Sequence, residues 1–548
     1  MVATFVTPAA PTPEKLRGGY YTPDPVARFV AEWVAEAGPR LLEPSCGDGS
    51  ILGHLVAHRP DGCVTGVELN ELEARTAQKH VPAATVVDQD FFAWFSSSDC
   101  GSWDGVAGNP PFIRFQHWKE EMRDRAFDLM RSAGLRPTRL TNAWVPFSVA
   151  ATLALREGGR VGLVLPAELL QVTYAAELRA FLVDTYAELT AVTFRTLLFD
   201  GVLQEVVLLL GIRGEGPAAI RLVEVDDAAS LPSPPSRITR VAHAPALLHD
   251  REKWTRYFLS PGEIEALRDA RTSPGIGTLG DVAEVDVGVV TGRNAFFVLK
   301  PSEADRIGVR AHCIPLVSKS AHVPGIRLSS EQLDELARAD ARCLLLAVPN
   351  DFELAQSDAL RRYVEDGEAS GVHLGYKCSI RKKWWVAPSV WTPDAFLLRQ
   401  IYDHPRIVSN EAGATSTDTI HRIRVSAGID HRVLAAASIN SVTFAFSEVM
   451  GRSYGGGVLE LEPNEAEALP FPAHEVLSSS EIDFAFVEEL TLAGRLVDAI
   501  DYVDRVLLID GLGMERDFVM RLRDVWSCLR DRRLARGRST PGERRRAA

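Results

Sequence analysis

At 548 residues, 46% of them apolar and 24% charged, the chain has material for two or three packed domains and is too apolar for a disordered polypeptide. No apolar run reaches the roughly 18 residues of a membrane span. The opening MVATFVTPAAPTPEKLRGG lacks the charged and apolar halves of a secretory leader, and the seven cysteines form no C-x-x-C pair. A reduced, cytoplasmic protein without a metal site is therefore expected. The net charge of −13 excludes a uniformly basic body but leaves room for one basic face.

In chain order, amphipathic spacing predicts a helix over 25–37, with Thr22 as its N-cap and proline in its first turn. Strands are predicted at 40–42, 64–68, 85–88, 105–108, 160–165 and 202–210, the pattern of an α/β domain with a largely parallel sheet. The segment DDAASLPSPPSRIT, with its three prolines, reads as a linker over 225–239. Residues 240–475 are rich in Trp, Arg, Asn and Gly, with short strands and many turns. From Ser478 the pattern is helical and ends in a tail, Arg530–Arg546, holding eight arginines against two acids. Three regions result: 1–225, 240–475 and 476–548.

The chemistry sits at predicted strand ends. RLLEPSCGDGSIL (40–52) is a strand, an acid at Glu43, a glycine-bearing turn and a helix start. Ligands of open α/β sheets lie outside the carboxyl ends of strands, where Gly47 and Gly49 let backbone approach closely. Neither G-x-G-x-x-G nor G-K-[ST] is present, so neither a dinucleotide fingerprint nor a P-loop is expected. Further on, VTGVELN ends in Glu68, spaced as an acid that grips ribose hydroxyls. VVDQDFFAW then supplies Asp88 and Asp90, with Asp90 suited to an adenine amino group and Phe91 or Phe92 to its ring. Any one of these acids is equally at home as a helix cap; three at successive strand ends are not so readily explained.

Asn109-Pro110-Pro111-Phe112 follows the fourth predicted strand directly. The lone pair of an amino nitrogen on a purine is delocalised into the ring, so that nitrogen is planar and weakly nucleophilic. An Asn side-chain oxygen and the carbonyl of Pro110 can accept its two N–H bonds and draw it toward tetrahedral geometry. The two prolines hold the backbone for this, and Phe112 can stack on a base taken out of the duplex. No base of depressed pKa is required, because the proton becomes acidic only once the nitrogen is alkylated.

These motifs, in the order RGGYYTPDPVARFVAEWV, EPSCGDG, ribose acid, DFF and NPPF, resemble the gamma-class DNA adenine-N6 methyltransferases of bacterial type II restriction–modification systems. The resemblance implies an α/β fold: a Rossmann-like class I S-adenosylmethionine-dependent catalytic domain (1–225), a mixed α/β target-recognition domain (240–475) and a helical tail (476–548). It implies S-adenosyl-L-methionine as cofactor, held by Tyr21, Thr22, Glu43, Pro44, Cys46, Gly47, Glu68, Asp90, Phe91 and Asn109. Tyr21 and Thr22 would meet its methionine part. Asn109, Pro110, Pro111 and Phe112 would act on a flipped adenine of double-stranded DNA. Phe112 stands where tyrosine is commoner, which keeps stacking and forgoes a hydroxyl hydrogen bond.

GDVAEVDVGVVTGRNAFFVL (280–299) resembles the start of the family's recognition domain, making Phe296 or Phe297 a candidate to pack on the flipped base. Arg381, Lys382 and Lys383 are candidates for phosphates, as are Arg452 and Tyr454 ahead of three glycines. A phenylalanine in a strand is more often core, and the basic residues and Tyr454 read equally well as solvated turns. With about 17 residues ahead of the first motif, a fused nuclease is not expected. The resemblance implies a stand-alone modification enzyme with a separate cognate endonuclease. Rival readings are a protein-glutamine methyltransferase, which the large C-terminal region disfavours, a ribosomal RNA methyltransferase, and a catalytically idle DNA-binding subunit.

Overall fold

The computed structural model describes residues 22–196, 198, 205–216, 219–238, 253–454 and 457–537. Tyr21 and the end of the arginine-rich tail lie outside them. The chain divides into two compact units, one ending at Ser260 and one running from Pro261 to Leu534 with 454–456 excepted.

The first unit is built on an eight-stranded sheet. In chain order its elements are α1 (Asp24–Ala35), β1 (Arg40–Glu43), α2 (Ser50–His58), β2 (Cys63–Glu68), α3 (Glu71–His80), β3 (Thr85–Asp88), α4 (Phe91–Trp94) and β4 (Trp103–Gly108). There follow α5 (Glu120–Ser132), α6 (Trp144–Ala154), β5 (Leu155–Pro166), α7 (Glu168–Gln171), α8 (Ala176–Thr185), β6 (Tyr186–Phe194), β7 (Val206–Arg213) and β8 (Ala219–Val225). The strand order is β3-β2-β1-β4-β5-β7-β6-β8. Strands β1 to β5 run parallel, and β7 enters antiparallel between β5 and β6. This is a Rossmann-like methyltransferase sheet with helices on both faces, in which the order reverses between β1 and β4.

Alternation along the strands makes two cores. Leu41 and Val164 join α1 and α2 on one face; Leu42, Leu163 and Leu165 join α5, α6 and α8 on the other. Helix α6 is buried nearly all round, with Trp144 wholly inside. The consequence for function lies in the register: Glu43 pairs with Gly66, Glu68 with Asp88, and Gly108 with Leu163. The ends of β1 to β5 thus share one edge of the sheet.

Three predictions meet different outcomes here. Helix α1 starts at Asp24 with Pro23 in the cap position, and no side chain caps it, so Thr22 is released for another role. Strands β6 and β8 add to the sheet, beyond the six runs predicted. The proline-rich segment packs against the first unit: Ile238 is buried in the α1 core, and Ser233 donates to Glu32.

The second unit holds a five-stranded sheet in the order Ala283–Asp286, Ile420–Val425, Ala395–Leu398, Ile407–Asn410, Arg327–Leu328. A four-stranded sheet joins Val298–Leu299, Leu344–Leu346, Cys313–Val317 and Thr415–Ser416. The C-terminal helices pack within this unit. Arg523 pairs with buried Asp504, and Arg533 with buried Glu448 on helix Ser441–Met450. Among the described residues no single helix is long and apolar enough to cross a membrane.

Candidate functional site

The turn after β1 and the end of β2 form one hydrogen-bonded structure. Gly47 (φ 51°) and Gly49 (φ 88°) both take the left-handed conformation that admits glycine without strain. The Gly47 N–H donates to Glu68 Oε2 at 2.9 Å, the Asn70 N–H donates to Glu68 Oε1 at 2.8 Å, and the Cys46 N–H donates to the Val67 carbonyl at 3.1 Å. Glu68 therefore braces the turn as well as ending the strand. Asn70 then caps α3, its side chain accepting from the N–H groups of Leu72 and Glu73.

Four carboxyl groups, of Glu43, Asp48, Glu68 and Asp90, lie along this edge. Glu43 is 2% exposed, and its Oε2 has no hydrogen-bond partner. Burial, then the charges of Asp48 and Glu68, hold its carboxyl well above the usual range. Burial also raises Glu68, against the opposing pull of its backbone donors, and pushes the Cys46 thiol up. Asp90 is raised by burial although Arg125 of α5 bonds it at 3.3 Å. A buried acceptor without a donor is costly in isolation. The set of Glu43, Glu68 and a glycine turn suits a group that brings positive charge and hydroxyl donors. That is the chemistry of S-adenosylmethionine, with its sulfonium, amino group and ribose.

Asn109 follows β4 immediately. Its Nδ2 donates to Thr22 Oγ1 at 3.2 Å, and its backbone carbonyl accepts from Ser45 Oγ at 3.3 Å. Thr22 is itself only 9% exposed. The structure thus brings Thr22, the Glu43–Gly47 turn and the Asn109 motif to one place. Pro44 and Pro110 are buried, Pro111 and Phe112 half-buried, and Phe112 packs against both core clusters of the first unit.

The loop after this motif is tied down by residues the motifs did not reveal. The Ala143 N–H donates to the Ile113 carbonyl at 2.9 Å. Asn142 Nδ2 donates to the Tyr174 hydroxyl at 2.9 Å, and that hydroxyl donates to Glu168 on α7. Burial and the neighbouring Glu168 push the Tyr174 hydroxyl far up its range. Partners separated by up to 32 positions carry no local signature. The same holds for Arg125, 35 positions from Asp90.

Several other predicted contacts are spent inside the molecule. Phe91 is 3% exposed, its ring stacked on Phe147 at 5.3 Å, so it is not an open face for a cofactor ring. Phe296 stacks on Tyr363 at 4.5 Å, and Phe297 is fully buried, so neither is exposed to a base. Arg381 donates to the carbonyls of Val290 and Thr291. Lys383 donates to those of Asn350 and Phe352 and pairs with Glu353. These two cations are internal braces, whereas Lys382 is exposed. Arg452 pairs with Glu465 at 2.8 Å, and Tyr454 ends the strand Arg452–Tyr454.

Comparison with known proteins agrees with this architecture. The model of the Eco57I restriction-modification methylase matches residues 63–198, and that of the C-terminal domain of type II methyltransferase M.Eco57I matches 251–508. Type II methyltransferase M.XamI of Xanthomonas campestris pv. amaranthicola is 23% identical over 482 residues, covering 84% of this chain and 86% of the relative. M.AccI of Acinetobacter calcoaceticus is 19% identical over 469 residues, covering 81% and 83%. The solved type IIL restriction-modification enzyme MmeI, in complex with DNA, shares the fold with a TM-score of 0.56 at 10% identity, over 92% of this chain and 75% of that one. The two family models match stretches within both units and, with these relatives, identify the chain as a type II restriction–modification methyltransferase.

Proposed function

We propose that the chain transfers a methyl group from S-adenosyl-L-methionine to N6 of an adenine turned out of duplex DNA. The observation that carries this reading is the held carboxamide of Asn109, anchored through its nitrogen by Thr22 at 3.2 Å beside the Glu43–Gly47 turn. An amide fixed by its nitrogen has its oxygen end, the acceptor the chemistry needs, fixed as well. That oxygen and the Pro110 carbonyl accept the two N–H bonds of the adenine amino group and polarise it. Phe112 stacks on the extruded base and offsets part of the unstacking cost. When bound, the cofactor supplies a methyl group made electrophilic by its sulfonium.

Toward that cofactor, Glu68 takes the ribose hydroxyls and Asp90 the adenine amino group. Thr22 and Tyr21 meet the methionine end. Buried Glu43 gives its unpartnered oxygen a cationic neighbour. The first unit is then the catalytic domain and the second the target-recognition domain. Relatives named as type II methyltransferases, and a fold relative solved with DNA, support duplex DNA as the substrate. The biological role is protection of host DNA from a separate endonuclease, so the purified chain should leave DNA uncut.

The test is single-molecule sequencing of DNA from a methylation-deficient bacterium expressing the chain. N6-methyladenine at one short motif is the expected result. Unmodified DNA alongside a folded protein that binds S-adenosylmethionine would overturn the DNA substrate, and methylcytosine would overturn the adenine.

A further inference from the structure

The second unit carries a loop that is fixed at its base and apolar at its tip. Over 372–382 the chain makes two short helical turns, Val372–Leu374 and Tyr376–Ser379. Within the second turn, Cys378 is fully buried and its thiol donates to the Thr291 carbonyl at 3.8 Å. The Arg381 guanidinium donates to the carbonyls of Val290 and Thr291 at 2.6 and 2.9 Å. Gly292 (φ 82°) lets the two segments close, since a Cβ there would stand 2.8 Å from the Cβ of Lys377. The loop is thus clamped to the backbone of 290–292 from within.

Outside, Leu374, Tyr376 and Ile380 are 72%, 74% and 65% exposed. No other run of seven described residues presents three large apolar side chains to solvent. Cations lie near them: Lys377 lies over the Tyr376 ring at 5.8 Å, exposed Lys382 follows two residues after Ile380, and exposed Arg293 follows Gly292, which packs against Lys377. None of these three cations has an ion pair or side-chain hydrogen bond among the described residues. Of the acids nearest in sequence, Glu365 pairs with Arg361, Glu353 with Lys383, and Glu368 accepts from the Trp384 indole N–H, while Asp366 is exposed. On a chain of net charge −13, an apolar tip with three unpaired cations beside it is complementary to a polyanion whose interior is apolar. Duplex DNA has that character, with phosphates at the rim of each groove and base edges, thymine methyls and stacked steps within it.

We propose that residues 374–382 form a DNA-contacting wedge. Tyr376 and Ile380, flanked by Leu374, bear on bases in a groove, while Arg293, Lys377 and Lys382 meet the phosphates on either side. Arg381 and Lys383 hold the wedge in place without touching DNA. This proposal rests on the DNA-methyltransferase reading above and deepens it.

The test uses the full chain and a duplex of about 30 base pairs containing the motif that sequencing identifies, with binding followed by fluorescence anisotropy across a salt series. Arg293→Gln, Lys377→Gln and Lys382→Gln should each flatten the slope of log Kd against log salt by about 0.9. Tyr376→Ser with Ile380→Ser should weaken binding about tenfold at unchanged slope, the signature of lost base contact. Because all five side chains are exposed, melting temperature and calorimetric affinity for S-adenosylmethionine should stay at wild-type values. Wild-type Kd and slope in both sets of variants, with the wild-type chain binding DNA, would overturn the wedge alone. A wild-type chain that binds S-adenosylmethionine but no duplex would overturn the DNA reading and the wedge with it.

Discussion

Thr22 Oγ1 accepts a hydrogen bond from Asn109 Nδ2 at 3.2 Å, across 87 positions of sequence. A residue two positions ahead of the first helix and the residue after the fourth strand are thereby one functional unit. Asn109→Ala should cut methyl transfer by at least about 10²–10³-fold, the scale of losing one polarising contact in a preorganised site. Thr22→Val keeps shape and removes the acceptor, so kcat should fall about fivefold, the worth of one ordinary hydrogen bond, with Thr22→Ser restoring it. Labelled-methyl transfer, with cofactor affinity by calorimetry as control, checks both; full activity in Asn109→Ala would remove the residue from the mechanism.

Glu43 sets stability against binding. Its buried Oε2 has no partner and its carboxyl is raised by burial, so the folded chain holds that proton more tightly than the unfolded chain does. The stability contributed by this group is therefore complete below the ordinary glutamate range and lost as pH rises through the raised folded value. Glu43→Gln should stabilise the cofactor-free protein at neutral pH by about 1–3 kcal/mol, the cost of an unsatisfied buried polar group. The advantage should shrink as pH falls. The same variant should bind S-adenosylmethionine more weakly. Thermal melts from pH 5 to 8 without cofactor would refute this if the variant is the less stable at every pH.

The parts of the site that can be read in advance are those marked by a strand end. Glu43, Glu68, Asp90 and Asn109 each follow a short β-branched or apolar run broken by glycine, proline or an acid, and the parallel sheet brings such ends together. Thr22 looks like a helix cap until Pro23 occupies that position, after which its hydroxyl is available to Asn109. Strands β6 and β8 are harder to read, because Ala, Thr, Arg and Glu dilute their alternation and pairing with neighbours supplies the order. Phe296, Phe297, Arg381 and Lys383 show a different limit. A ring or a cation is visible in a sequence, but whether the interior claims it depends on backbone carbonyls about 30 or 90 positions away.

Glu68 predicts a pH dependence of binding. Its carboxylate accepts from two backbone N–H groups, and burial still holds it above the ordinary glutamate range. The ionised form is the one that accepts from ribose hydroxyls, so affinity for S-adenosylmethionine should fall as pH drops through that raised value. The fall should begin at a higher pH than an exposed carboxylate would give. Glu68→Gln should bind weakly, by about 10–100-fold as for the loss of a charged hydrogen-bonding group, and with a flatter profile. Calorimetry across pH 5 to 8 decides it, and a wild-type profile retained in the variant would detach Glu68 from the cofactor.

The pairing of Arg533 with Glu448 makes the last helix part of the second unit's core. Both side chains are almost wholly buried, at 2% and 3% exposure, and Arg533 also donates to the carbonyls of Tyr402 and Gly457. One guanidinium thus ties the last helix to helix Ser441–Met450 and to two backbone carbonyls outside it. Attraction between the two charges and the cost of removing them from water are both large and nearly offset, whereas removing one partner strands the other. Glu448→Gln should accordingly destabilise the second unit by about 3–5 kcal/mol, while Glu448→Met with Arg533→Met should recover much of that loss. Denaturant melts of the two variants against wild type measure the difference. If the single variant proves no less stable than the double, the pair is not what anchors the helix, and the anchor would then pass to Arg523 with Asp504.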